Sequence, residues 1–242
     1  VLGSRGLGDV YKRQVKGVYS EINSLLAGSD DAELKEKYAE VSGQLPIIKE
    51  LADISYTNKK NRGCPELETS ESKLIINDED ICVGVERRTR GRSEEIIEDF
   101  MLVANECAAR FGMDNNLPFV YRIHEEPSDE KLESLREALV KLNVQYKLGE
   151  KACPGDMSEI LKAAKGTDID LIMNNIVLRS MSKARYSTEP VGHFGLALED
   201  YAHFTSPIRR YPDLTIHRIM SAFLSGSSAE ECATKFNKFV NA

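Results

Sequence analysis

No apolar run in the 242 residues approaches the roughly 20 that a membrane-spanning helix needs. The start also lacks the basic, apolar and small-residue pattern of a secretory signal. Cysteine is sparse, with Cys64, Cys82, Cys107, Cys153 and Cys232 scattered along the chain and none in a CxxC pair. That argues against a zinc site or a disulfide framework and makes a reducing cytoplasm the natural compartment. Positive charge is not in excess. The net charge of −7 argues against coating nucleic acid through bulk charge, but it leaves room for a local basic groove that guides one strand. Carboxylates are plentiful but not clustered. A two-metal nuclease needs several acids converging on its ions, whereas here Asp30-Asp31 reads as a helix cap, Asp78-Glu79-Asp80 as a hairpin turn and Glu98-Asp99 as a helix edge. There is no internal repeat and no low-complexity tract.

What remains is a globular composition, 41% apolar and 29% charged, in a length that fits one large domain or two small ones. Residues 1–14 carry Gly3, Gly6 and Gly8 among basic residues with no apolar period, and read as an adapter-like leader. From residue 15 the periodicity predicts a helix from Tyr19 to near Gly28. A second helix, capped at Asp30-Asp31, is predicted to run through Leu34, Tyr38, Val41, Leu45, Ile48 and Leu51. Two strands, Lys73–Ile76 and Ile81–Val85, flank the acidic turn. Ser93 is expected to cap a helix reaching Phe111, and Ser128 one whose apolar face is Leu132, Leu135, Leu139 and Leu142. Strands are expected at Phe119–Ile123 and Phe194–Leu198. Further helices are expected at about 158–164, at 169–181, from Pro207 or Pro212 to Phe223, and after a capping box of Ser228 with Glu231. The chain stops soon after that last helix begins, which reads as a truncation. These elements make an α+β fold, with a mixed, largely antiparallel sheet flanked by helices.

Chemistry concentrates in Tyr201-Ala202-His203-Phe204-Thr205-Ser206-Pro207-Ile208-Arg209-Arg210-Tyr211-Pro212-Asp213. Ser206-Pro207 has the form of an N-cap and first helical residue, so a helix or turn begins there. Arg209 and Arg210 would then face the positive end of a helix dipole, which is unfavourable unless an anion sits between them and the free N–H groups. Guanidinium forks match phosphate oxygens. The alternative is a solvated arginine pair with Asp213 as local partner. His217, four residues beyond Asp213, is a titrating group, a phosphate donor or a histidine packed against Asp213, and the last is the simplest. Arg87-Arg88-Thr89-Arg90-Gly91-Arg92 is either the rim of a single-strand groove or a solvated loop neutralised by Glu86, Glu94 and Glu95, with the loop favoured.

The run from His193 through Tyr201–Leu214 to Arg218 resembles the catalytic RNB domain of the ribonuclease II and ribonuclease R family. Phe100–Glu106, Pro118–Glu125 and Arg179–Ser187 share the likeness, in the same order. The resemblance implies hydrolysis of single-stranded RNA from its 3′ end, with Mg2+, to nucleoside 5′-monophosphates. It places the family's SPIR arginine on Arg209, in contact with the scissile phosphate, where it would stabilise developing charge. Thr205, Ser206, Arg210 and Tyr201 are the implied RNA-binding neighbours. The family's acidic pair falls on Glu98 and Asp99; the second is usually Glu, so the shorter Asp99 weakens its contact to the terminal nucleotide. The family's base-stacking Phe falls near Leu67, which has no π-face to offer. The family's metal-binding aspartates have no counterpart in this sequence, so the resemblance implies an incomplete RNB domain, inactive alone. The rival readings are a non-catalytic RNA-binding module and an interaction scaffold of RNB shape.

Overall fold

The computed structural model describes residues 15–67, 71–88 and 90–240. The expected leader over residues 1–14 lies outside the described residues. Helix α1 spans Tyr19–Leu26. Helix α2, Ala32–Lys37, begins where Asp31 Oδ1 accepts the Glu33 and Leu34 amides at 2.9 and 3.3 Å. The helix expected to continue from there is broken into α2, a single turn α3 (Ala39–Ser42) and α4 (Leu45–Asn61). Tyr38, 1% exposed, turns inward at the first break. Pro46, in the first turn of α4, has no amide to continue a helix from the preceding residues.

Helix α5, Arg92–Asp114, is the long central element, and α1 and α4 pack on it. Its N-cap is Gly91 rather than Ser93. Glu94 reaches back to the Gly91 amide at 3.2 Å, and the Ser93 amide donates to Asn23 Oδ1 of α1 at 2.7 Å. Gly112 of α5 lies against the Phe119 ring, and a Cβ there would overlap it. Helices α6 (Asp129–Lys141), α7 (Pro154–Ala164) and α8 (Asp170–Ser180) enclose one apolar cluster, including Leu135, Met157, Ile160, Met173 and Val177. A second cluster joins Ala109 of α5, Phe119, Tyr121 and Ile123 to helices α9 (Tyr211–Leu224) and α10 (Ala229–Val240) through Ile216, Ile219, Cys232 and Phe236. Burying an isoleucine such as Ile216 or Ile219 contributes about 1.5–3 kcal/mol. The capping box expected at the start of α10 is present, with the Ser228 amide donating to Glu231 at 2.9 Å and the Glu231 amide to Ser228 Oγ at 3.1 Å.

The fold is α+β, and its largely antiparallel sheet component consists, among the described residues, of two separate antiparallel pairs. Strands β1 (Glu71–Ile76) and β2 (Cys82–Arg88) form the expected hairpin, closed where Asn77 Oδ1 accepts the Glu79 and Ile81 amides. Its Leu74, Ile76, Val83 and Val85 remain exposed. Strand β3 is Tyr121–Ile123, the later part of the run expected from Phe119, and pairs with β4, Arg185–Ser187. The strand expected at Phe194–Leu198 is instead a turn of 3-10 helix over Phe194–Leu196. Gly192 at φ 85° and Ala197 at φ 52° fold the chain back so that the His193 amide donates to the Leu198 carbonyl at 2.7 Å. An extended strand cannot make that bond.

Candidate nucleic-acid interface

Between the 3-10 turn and α9 the chain runs through Tyr201–Arg210 with little regular structure, so its backbone groups need other partners. Asn105, 2% exposed on the inner face of α5, supplies them first. Its Oδ1 accepts the Phe204 and Thr205 amides at 2.8 and 3.2 Å, and its Nδ2 donates to Tyr201 Oη at 3.1 Å. Asp213, in the first turn of α9 and fully buried, supplies the next. Its carboxylate accepts the Ser206 amide at 2.8 Å and takes Arg210 as a fork, from Nε at 2.9 Å and Nη2 at 2.8 Å. Ser206-Pro207 therefore opens a turn, closed by the Arg209 and Arg210 amides on the Ser206 carbonyl. The helix itself begins at Tyr211, with Arg210 as its N-cap. His217 is packed as expected, but by Phe204. Its Nε2 lies 2.9 Å from the Phe204 carbonyl, and the two rings stack at 4.0 Å. The Asp213 carboxylate is turned to Ser206 and Arg210 instead.

This leaves the two adjacent arginines unequal. Arg210 is half-buried and bound inward to Asp213. Arg209 is exposed and has no anionic partner among the described residues; Ile208 beside it is 96% exposed. Thr205 Oγ1 is buried with no hydrogen-bond partner among the described residues. Arg122 of β3 belongs to the same neighbourhood: its amide donates to the Tyr201 carbonyl at 2.9 Å and its guanidinium lies 4.8 Å from the centre of the Tyr186 ring. Tyr186 Oη lies 2.8 Å from His203 Nδ1. Burial first, and then the positive field of Arg210, pushes His203 down to about 4; burial pushes its neighbour His193 down to about 3. Both imidazoles are thus neutral near pH 7, and the cationic character of the patch comes from its arginines. Arg122, Tyr186 and His203 were not singled out from the sequence as site residues. A hint was the Arg122 position inside an otherwise apolar strand.

The other candidates are placed elsewhere. Asp99 lies six residues before Asn105 on α5, about 9 Å along the helix. It is 5% exposed; burial pushes its carboxyl above the ordinary range, and Lys59, with Nζ at 3.8 Å, opposes that shift. Glu98 pairs with Arg90 at 3.2 Å and Lys59 at 3.7 Å. Leu67 packs against the α6–α8 cluster, whereas the Tyr201–Arg210 segment packs on the other one. In the arginine-rich stretch, Arg90 binds Glu98, and Arg92 binds Asp53 and Glu95, as a neutralised surface does. The side chains of Arg87, Arg88 and Thr89 lie outside the described residues. Among the described residues, no group of three or more His, Cys, Asp or Glu could hold a metal ion, so the residues described do not fit the Mg2+ that the family likeness implies.

A family model described as the RNB domain matches residues 11–226. Ribonuclease R 1 of Lactococcus lactis is 37% identical over 231 residues, covering 94% of this chain and 28% of the relative. Ribonuclease R of Escherichia coli is 38% identical over 207 residues, covering 86% of this chain and 25% of the relative. A solved structure titled Mycoplasma genitalium RNase R in complex with ribose methylated single-stranded RNA is 30% identical with a TM-score of 0.79, over 90% of this chain and 34% of that one. The chain thus spans about a quarter to a third of the length of the relatives it matches. The match over most of the sequence, and the fold it shares with those proteins, show that the chain belongs to the RNB domain family.

Proposed function

We propose that this chain is part of a 3′→5′ exoribonuclease of the ribonuclease R type, and that its Tyr201–Asp213 segment holds RNA phosphate. The observation that carries the reading is Arg209: an exposed guanidinium with no anionic partner among the described residues, on a turn whose neighbouring groups are already bound. A phosphate at Arg209 would gain charge-assisted hydrogen bonds without breaking an existing ion pair. Tyr186 with Arg122 offers an aromatic and cationic neighbour. The solved RNA complex of the Mycoplasma genitalium relative supports single-stranded RNA as the ligand. In the intact enzyme, Arg209 would stabilise charge that develops on the scissile phosphate. Because the described residues offer no metal-holding cluster, we propose that this chain alone binds RNA without cleaving it. Five free cysteines fit a reducing cytoplasm.

Filter binding of a poly(A) oligonucleotide, followed by analysis of the released nucleotides in Mg2+, tests both statements. The expected result is retention that Arg209→Ala weakens, with no monophosphate formed. Retention unaffected by Arg209→Ala, or absent in the unaltered chain, overturns the phosphate assignment. Monophosphate release overturns the expected inactivity.

A further inference from the structure

The backbone amides leading into the Arg209 turn are accepted by two side chains, Asn105 and Asp213, which differ in origin. Asp213 is local, seven residues from the Ser206 amide it accepts. Asn105 is remote, 99 and 100 residues from the Phe204 and Thr205 amides it accepts. Its helix is also the one that carries Glu98 and Asp99. We propose that Asn105 is a positioning residue for RNA binding, which fixes the Tyr201–Thr205 backbone on α5 so that the following turn presents Arg209 to phosphate. This rests on the reading of Arg209 as a phosphate-binding group.

The chemistry of the amide suits that task. One oxygen accepts two consecutive backbone N–H groups while the nitrogen donates to Tyr201 Oη. Three contacts from one 2%-exposed side chain fix a stretch of chain that has no ladder or helix of its own. Those backbone N–H groups need an acceptor, since an unpaired buried donor is costly. An apolar side chain at 105 would leave the Phe204 and Thr205 amides to seek water, and the segment would move to find it. Asp213 would still hold Ser206, but the approach to the turn would be loose on one side. A guanidinium gains from preorganisation only while its backbone stays in place, so the loss should appear as weaker phosphate binding rather than as lost charge.

Fluorescence anisotropy of a labelled poly(A) oligonucleotide, with the full chain and its Asn105→Ala, Arg209→Ala and doubly substituted forms, reads this directly. Arg209→Ala should weaken binding about ten- to a hundredfold, the range for losing hydrogen bonds to a charged group. Asn105→Ala should lose a comparable amount, and the double variant should be no weaker than Arg209→Ala, because Asn105 acts through Arg209. Asn105→Asp keeps the shape and the acceptor and should restore most of the affinity. Where Ala does not fold, Asn105→Ser, too short to reach the amides, must show the same loss. Hydrogen exchange should rise at Phe204 and Thr205 in the Ala or Ser form while the α6–α8 cluster stays protected, an effect that needs no RNA. A chain that does not bind the oligonucleotide overturns the functional reading, and the role of Asn105 in phosphate binding with it. Normal weakening by Arg209→Ala, combined with wild-type affinity in Asn105→Ala or with additive losses, overturns the Asn105 assignment alone.

Discussion

Replacing Asp213 by alanine should be among the most damaging single changes in the chain. The carboxylate is fully buried and accepts three hydrogen bonds, one from the Ser206 amide and two from Arg210, whose side chain is only 18% exposed. Alanine removes every acceptor and leaves a largely desolvated guanidinium facing a void. Breaking a buried pair by removing one partner costs about 3–5 kcal/mol, most of it the penalty on the charge left behind. Asn keeps one oxygen for Ser206 but turns an N–H donor toward Arg210, so it should cost less than Ala but more than about 1.5 kcal/mol. Urea unfolding followed by circular dichroism gives the test: the midpoint should fall at unchanged slope. Removing Arg210 as well should recover part of the Asp213→Ala loss, because the unpaired charge is then gone. A loss below about 1 kcal/mol for Asp213→Ala, or full additivity with Arg210→Ala, would refute the claim that this buried pair holds the turn.

Other expectations follow from the same geometry. Gly112→Ala should cost about 1–3 kcal/mol, measured by thermal unfolding, because its Cβ would overlap the buried Phe119 ring. His193 and His203, pushed by burial from 6.5 to about 3 and about 4, bind fewer protons when folded than when unfolded. Their contribution to stability is complete above about pH 6.5 and is lost as pH falls toward 4 and then 3, by up to about 1.4 kcal/mol per pH unit for each group. Unfolding midpoints from pH 7 to 4 should therefore decline less steeply in His193→Gln than in the unaltered chain, and equal slopes would contradict the assignment. Arg209→Ala should change stability by less than about 0.5 kcal/mol, the surface-substitution range, since Arg209 has no anionic partner among the described residues.

How legible these features were depended on sequence distance. The Ser228–Glu231 box, the Asp31 cap and the Asn77 hairpin turn were readable because each is completed within five residues. Phe194–Leu198 was misread as a strand because a short apolar run has the same composition in a strand and in a turn. Its shape is decided by Gly192 and by the bond from His193 to Leu198. In the α2–α4 region the helical spacing continues across the breaks, so it marked Tyr38 as inward-facing but did not report the chain breaks at Tyr38 and before Pro46. At the site, the arginine pair and Asp213 stood out as neighbours in sequence, but the inward fork that takes Arg210 away from the surface did not. Asn105 lies in the Phe100–Glu106 stretch that shares the family likeness, but its contacts were not readable because its partners lie about a hundred residues on.

The salt dependence of RNA binding tests the central claim most directly. Each phosphate neutralised on a single strand contributes about −0.7 to the slope of log affinity against log salt. Anisotropy titrations of poly(A) at several salt concentrations should give a shallower slope for Arg209→Ala than for the unaltered chain, by about one such increment. Equal slopes for the two proteins would show that Arg209 does not hold phosphate.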